Sequence, residues 1–194
     1  MSNSGHRINK SESVERLSAG DSTALIEVFN KYFDRVYSLI FHSTGGNHAI
    51  AEDIIQETFL CALELVGSFK HQGEVYTWLA GIAFNKIADY YRKMEQERRY
   101  VNLSPDDILA YSQQNVSNRL SVADEAKSNQ ERVTMAKALL NLPFDYRAGL
   151  FLKYIEEMPV SEIGKIMNRP SESINTMLAK AWKVLEEIAN TRHE

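Results

Sequence analysis

Residues 160–182 read Val160-Ser-Glu-Ile-Gly-Lys-Ile-Met167, Asn168-Arg-Pro170 and Ser171-Glu-Ser-Ile-Asn-Thr-Met-Leu-Ala-Lys-Ala-Trp182. Apolar residues three and four apart predict two helices, and Ser171 after Pro170 marks the start of the second, because serine is a favoured N-cap. The residues placed to form a shared core are Ile163, Ile166, Ile174 and Leu178. This pattern predicts a helix-turn-helix, whose second helix would enter the major groove of DNA. An ordinary helical hairpin fits the same pattern.

Helical spacing extends outward from this segment through most of the chain, without strand-like alternation of any length. In the N-terminal half it predicts helices over about residues 22–42, 49–66 and 75–95, the first two separated by Gly45-Gly46. In the C-terminal half it predicts helices over about residues 133–140, 146–155, 161–167 and 171–188. We therefore predict an all-α protein.

The segment between these two groups of helices differs in composition. Residues 101–130 are polar, poor in helix formers and more acidic than basic, and we interpret them as a flexible linker. The predicted organisation is an N-terminal tail over residues 1–20, a first domain over 21–100, the linker over 101–130 and a second domain over 131–194.

Composition limits the classes of protein to consider. The chain has 194 residues, of which 44% are hydrophobic and 25% charged, as in ordinary globular proteins of one or two domains. It has no apolar run of roughly 18 residues and no apolar signal-peptide region, so we expect a cytoplasmic protein without membrane insertion. Cys61 is the only cysteine, which excludes an internal disulfide and a cysteine-based zinc site.

Catalytic motifs are absent from the sequence. Its five histidines are scattered, and no H-E-x-x-H, P-loop, G-x-G-x-x-G or G-x-S-x-G pattern occurs. We therefore expect neither an enzyme nor a protein with a cofactor or a metal site. The net charge of −4 also disfavours a free-standing nucleic-acid binder, unless its basic surface is local or a partner supplies most of the DNA contacts.

Two polar helix faces are candidate binding surfaces. On the third helix Trp78, Asn85 and Arg92 are seven residues apart and share one stripe, with Tyr91 and Lys93 beside its end. Aromatic rings stack on exposed bases, asparagine reads a base edge and cations hold phosphates, so the stripe suits melted or single-stranded nucleic acid. The alternative is that Trp78 belongs to the core and the charges are a solvated helix end.

The second polar face lies on the second helix, away from its apolar stripe. Its members are Asp53, Gln56, Glu57 and Glu64. An acidic helical face can dock on a basic partner. An ordinary solvated surface is the alternative.

Together these segments resemble the extracytoplasmic-function (ECF) sigma factors, the small two-domain bacterial sigma factors. Glu52-Asp-Ile-Ile-Gln-Glu-Thr-Phe59 resembles the family's A-E-D-x-x-Q-E-x-F helix, and Tyr76-Thr-Trp-Leu-Ala-Gly-Ile-Ala-Phe-Asn85 resembles its T-W-L-x-x-I-A-x-N segment. Leu142-Pro-Phe-Asp-Tyr-Arg147 resembles L-P-x-x-x-R, and the helix-turn-helix follows it. The order and separation of these motifs are similar to those of the family, over about residues 20–100 and 130–190.

The resemblance implies a transcription initiation factor that directs core RNA polymerase to promoters under the control of an anti-sigma factor. It implies contacts with the β′ clamp helices through Asp53, Gln56 and Glu57, and a further contact with the β flap. The residues it implies for the minus-ten element are Tyr76, Trp78, Asn85, Lys86, Tyr91, Arg92 and Lys93. Those it implies for the minus-thirty-five element are Arg169, Ser171, Ser173, Asn175, Thr176, Ala179, Lys180 and Lys183.

The recognition helix differs from the family's V-G-T-V-K-S-R-L-H-R-A-R pattern. Asn175, Met177, Ala179 and Trp182 stand where basic or polar residues are usual, so we expect weak binding to the minus-thirty-five element. Glu157 replaces a usual glycine before the motif. Two alternatives stay open: a sigma mimic that sequesters an anti-sigma factor, and an autonomous helix-turn-helix regulator. Binding to core polymerase would distinguish a sigma factor from both.

Overall fold

The structure, a computed structural model, describes residues 16, 19, 21–66, 75–101 and 138–190. All regular elements within these ranges are helices, which confirms the all-α prediction. They are α1 (Ser22–Ser43), α2 (His48–Leu65), α3 (Val75–Val101), α4 (Phe144–Leu150), a π-helical turn (Phe151–Ile155), α5 (Val160–Met167) and α6 (Ser171–Asn190). The predicted linker lies outside the described residues, except for Val101, and so does the predicted tail, except for residues 16 and 19. Of the helices described, none is long and apolar enough to span a membrane.

Helices α1, α2 and α3 pack into the first domain. Asp21 caps α1 by accepting a hydrogen bond from the Thr23 amide, and Asn47 caps α2 by accepting one from the Ile50 amide. Gly45 and Gly46, between the two helices, have φ angles of 73° and 76°, which glycine adopts without strain. The fully buried side chains that form the centre of this core include Val36, Leu39, Ile40, Leu79 and Ile87.

Helices α4, α5 and α6 form the second domain, in which α5 and α6 are the predicted helix-turn-helix. The predicted shared core is confirmed, since Ile163, Ile166, Ile174 and Leu178 are all buried. Asn168 ends α5 in the left-handed conformation, with φ 51°, which asparagine tolerates better than most residues. A Cβ atom on Gly164 would lie 2.7 Å from the Arg169 carbonyl oxygen, so the tight turn requires glycine there.

The helix predicted over residues 146–155 differs from the one observed. It begins at Phe144, and its last turn is π-helical, with the Glu156 amide donating to the Phe151 carbonyl at 3.1 Å. The Met158 amide then donates to the Leu152 carbonyl, and between them Glu157 has a φ angle of 52°. The glycine usual in the family would meet this positive φ without strain.

Glu157→Gly is therefore expected to stabilise the protein by about 0.5–1 kcal/mol. The left-handed conformation costs a non-glycine residue roughly 1–2 kcal/mol, and the extra freedom of glycine in the unfolded chain offsets part of that gain. Urea denaturation measures the difference in the free energy of unfolding. Glu157→Ala is the matched control, because it removes the carboxylate and keeps the strain; an equal gain in both variants would contradict this explanation.

The two domains pack against each other. Helix α3 contacts α5, and α1 contacts α4 and the π-helical turn. Phe144 stacks on Tyr91 with ring centroids 4.8 Å apart, and the His42 ring stacks on Phe151 at 4.9 Å. The described parts of the two domains therefore form one closed body.

Candidate nucleic-acid and protein interfaces

Helix α3 presents three different faces. One face packs into the core of the first domain, through buried side chains such as Leu79, Ala83 and Ile87. A second face meets the second domain, where Thr77 donates to Glu162 and Phe84 contacts the Phe144 ring. The third face is exposed. Because an α-helix turns about 100° per residue, residues seven apart stay on one face, which keeps the three surfaces separate along the helix.

The exposed face of α3 carries the predicted nucleic-acid stripe. Asn85, Arg92 and Lys93 are exposed, and Trp78 is half-buried against the core. Arg92 donates to the Asp89 carboxylate at 2.6 Å in a solvent-exposed pair, which is readily exchanged for a phosphate. The exposed face of α3 therefore presents one amide and two cations to solvent.

Tyr76, which the resemblance implies for the minus-ten element, is buried in this structure. Its side chain is 2% exposed, and the Arg35 guanidinium lies 3.8 Å from the centroid of its ring. Burial, with the Glu156 carboxylate nearby, raises the pKa of the Tyr76 hydroxyl. The helical period could have predicted this burial, because Tyr76 shares the buried face of α3 with Leu79 and Ala83.

Two other predicted minus-ten residues also lie off the exposed stripe. The Tyr91 hydroxyl donates to the Ser43 carbonyl at 3.3 Å and accepts from Arg147 at 2.7 Å, at the contact between the domains. Burial raises the pKa of the Tyr91 hydroxyl. Lys86 points toward α2, with its Nζ 3.4 Å from a carboxylate oxygen of Glu57. In this closed arrangement, neither residue lies on the surface that presents Asn85.

The predicted protein-docking face on α2 is accessible. Asp53, Gln56 and Glu57 are all exposed. Beside them, a groove of about 410 Å³ lies between α1 and α2, and its lining residues are Ile26, Phe29, Gln56, Phe59, Leu60 and Leu63. Sequence reasoning missed this groove. Its signal was the presence of Leu60 and Leu63 outside the buried stripe of α2.

The predicted minus-thirty-five residues line one side of the helix-turn-helix. On α6 the exposed members are Ser171, Asn175, Thr176, Ala179, Lys180 and Lys183, and Ser173 is half-buried. A cleft of about 380 Å³ runs along this side, lined by Tyr146, Arg169, Ser173, Thr176, Met177 and Lys180. The usually basic position at Met177 is buried here, so its replacement by an apolar residue contributes to packing.

Arg169 connects the turn to the rest of the second domain. Its Nη2 donates to the Asp145 carboxylate at 3.0 Å, and its Nη1 lies 3.5 Å from the Met177 sulfur. The guanidinium therefore positions the turn against α4, in addition to lining the cleft. Trp182 is exposed, and its Nε1 donates to the Tyr154 hydroxyl at 2.6 Å.

The described ranges contain no group of three or more His, Cys, Asp or Glu side chains that could hold a metal ion. The chemistry that these residues do offer is that of docking surfaces: an acidic patch beside an apolar groove, and two faces with amide, hydroxyl and cationic groups.

Both domains of the chain match families of known proteins. Residues 28–98 match the family described as Sigma-70 region 2, and residues 132–185 match Sigma-70, region 4. The chain is 30% identical over 175 residues to the ECF RNA polymerase sigma factor SigW of Bacillus subtilis (strain 168), covering 90% of this chain and 93% of SigW.

Two solved structures share the fold. One is that of CnrH in complex with the cytosolic domain of CnrY, with a TM-score of 0.65, 17% identity, and coverage of 94% of this chain and 98% of that one. The other is that of the sigma factor RpoE in complex with the anti-sigma factor NepR from Bartonella quintana, with a TM-score of 0.59, 18% identity, and coverage of 86% and 96%.

Proposed function

The chain belongs to the ECF sigma factors of the sigma-70 family, and from that premise we propose how it binds polymerase and reads promoters. Asp53, Gln56 and Glu57 bind the β′ clamp helices of core RNA polymerase. The exposed stripe of α3 reads the minus-ten element, and the exposed side of α6 reads the minus-thirty-five element. One observation supports this proposal above the others: the α2 patch, the α3 stripe and the side of α6 are all exposed to solvent on one chain of this family.

The groove beside the acidic patch supports the assignment to polymerase. Protein interfaces commonly have an apolar centre within a polar rim. Leu60 and Ile26, on the groove, are 61% and 59% exposed, and Gln56 belongs both to the groove and to the acidic patch. An apolar surface of this kind next to charged side chains is typical of a docking site.

The assignment to promoter DNA rests on side-chain chemistry. Asn85 carries a donor and an acceptor and is free of the core, so it can pair with the edge of an unstacked base. On α6, Asn175 and Lys180 are both exposed, and they carry the groups that can reach a base edge and a phosphate. The negative net charge fits this proposal, because polymerase supplies many of the phosphate contacts.

Asn85→Ala is expected to weaken open-complex formation by about 1–3 kcal/mol, the usual value of one good base contact. Thermal stability should hardly change, because the Asn85 side chain is exposed. Run-off transcription and thermal melting, measured together, test both statements. Asn30→Ala removes an exposed amide from α1 and is the matched control. Normal transcription with a large loss of stability would show that Asn85 is structural.

Control by an anti-sigma factor is the second part of the proposal. RpoE of Bartonella quintana, which shares the fold, was solved in complex with the anti-sigma factor NepR. We propose that this chain is held by a regulator of the same kind, and that it acts in the cytoplasm, together with polymerase and DNA. No catalytic activity or cofactor is part of this function.

The sigma mimic is the alternative function. One observation favours it: residues 171–183 of α6 contain only two basic residues, Lys180 and Lys183, with which to hold DNA phosphates. A pull-down with core polymerase, followed by run-off transcription from the captured complex, separates the two. A sigma factor binds core and initiates, whereas a mimic or an autonomous regulator does neither.

A further inference from the structure

Polar contacts between described residues join the first domain to the second, among them the hydrogen bond from Arg147 to the Tyr91 hydroxyl. The Arg35 Nε donates to the Glu156 carboxylate at 2.9 Å, and the Thr77 hydroxyl donates to Glu162 at 3.0 Å. Arg147 donates to the Ser43 carbonyl from Nε at 3.1 Å and from Nη2 at 2.7 Å. The Glu156 side chain is only 11% exposed, so it depends on Arg35 for its charge partner.

The apolar part of this contact is close-fitting. Phe144 is placed between Phe84 and Tyr91 of α3, at ring-centroid distances of 5.7 and 4.8 Å. Where α3 crosses α5, a Cβ atom on Gly81 would lie 3.9 Å from the Ile166 carbonyl oxygen. Alanine would fit at that position in ordinary van der Waals contact, but a large side chain would not.

The closed body is incompatible with reading both promoter elements at once. Packed helices lie about 8–10 Å apart, so α6, which packs on α5, is within about two helix diameters, or roughly 20 Å, of α3. Elements centred near positions minus ten and minus thirty-five are separated by about 25 base pairs, or about 85 Å of duplex at 3.4 Å per step. The two domains must therefore separate before α3 and α6 can occupy their elements together.

We propose that the contact between the domains is an autoinhibitory latch, closed by Arg35–Glu156, Thr77–Glu162, Arg147–Ser43 and the Phe144 ring. The latch needs no other protein. The polymerase-docking residues stay exposed in the closed chain, so polymerase binds first and the domains open on the polymerase. The consequence for promoters rests on the function proposed above, whereas the closure itself does not.

The closure is tested by double electron–electron resonance on the full chain. Spin labels are placed at the exposed positions Asn30 and Glu186 in a Cys61→Ser background. The free protein should give one narrow distance distribution. Arg35→Glu should increase the open population about tenfold, the effect expected for loss of a partly buried ion pair. Arg35→Glu with Glu156→Arg should restore the narrow distribution. A broad distribution in the unsubstituted chain would overturn the latch.

A second pair of variants tests closure without changing charge. Gly81→Phe should wedge the domains apart and broaden the distribution, whereas Gly81→Ala should leave it narrow. Circular dichroism then shows whether each variant keeps its helices. Equal distributions for the two variants, with helical content retained, would also overturn the latch.

A third experiment tests inhibition by measuring the yield of open promoter complexes that core polymerase forms with limiting concentrations of the chain. Arg35→Glu should increase their yield several-fold, and the charge-swapped pair should return it to the original level. A variant that opens without raising this yield would show that the contact is not inhibitory. If the resonance distances show a closed chain but that chain fails to bind core polymerase, the proposed function is contradicted and the closure is not.

Discussion

The double variant Asp53→Lys, Glu57→Lys is expected to bind core RNA polymerase at least about a hundredfold more weakly than the unsubstituted chain. Like charges placed against each other at an interface cost several kcal/mol, and each 1.4 kcal/mol is a factor of ten in affinity. Both side chains are exposed on α2, so the charge reversal meets the partner directly. Fluorescence anisotropy of labelled chain titrated with core polymerase measures the loss.

Two controls accompany this variant. Asp34→Lys with Glu186→Lys produces the same change in net charge at exposed positions away from the patch, and should keep its affinity. Thermal melting is needed as well, because Lys86 lies 3.4 Å from Glu57, and a lysine at position 57 would place two cations together. Unchanged affinity in a folded double variant would remove the α2 face from the proposed interface.

Arg147→Ala is expected to lower the free energy of unfolding by about 2–4 kcal/mol. Arg147 donates to the carbonyls of Leu140, Leu142 and Ser43 and to the Tyr91 hydroxyl, at distances between 2.6 and 3.1 Å. A hydrogen bond from a charged donor contributes roughly 1.5–3 kcal/mol, and solvent at this half-buried position recovers part of the sum. Urea denaturation followed by circular dichroism measures the difference.

Arg147→Lys separates the guanidinium's geometry from its charge. Lysine keeps the charge but cannot reach several carbonyls at once from one planar group, so an intermediate loss is expected. Arg92→Ala, which removes a solvent-exposed pair with Asp89, should cost no more than about 0.5 kcal/mol. A similar small cost for Arg147→Ala would mean that these hydrogen bonds do not hold the domains.

The helix-turn-helix was predictable because its information is local. The spacing of Ile163, Ile166 and Ile174 specifies a shared core, and Ser171 specifies where α6 begins. The exposure of Asn85 and of the α2 patch followed from the same helical period. Applied more strictly, that period would also have placed Tyr76 in the core.

The contact between the domains was not predictable, because its partners are distant in sequence. Arg147 was visible within L-P-x-x-x-R, but its acceptor at Ser43 is 104 residues away, and that acceptor is a backbone carbonyl, which has no sequence signature. Arg35 and Glu156 pair through their side chains, but 121 residues separate them in the sequence. A pattern of side chains along one helix carries no information about which helix it meets.

The π-helical turn is the place in the second domain where a residue can be lost without disturbing the helices on either side. An i→i+5 turn holds one residue more than an α-helical turn, so loss of one residue there would leave ordinary α-helix and keep the flanking side chains in phase. Ile155, 68% exposed, is the residue whose deletion costs least packing, and Glu156 would still face Arg35. A one-residue deletion inside α5 or α6 would instead rotate everything beyond it by about 100° and turn away the side of α6 that we propose reads DNA. Natural length variation in the second domain should therefore concentrate at residues 151–155.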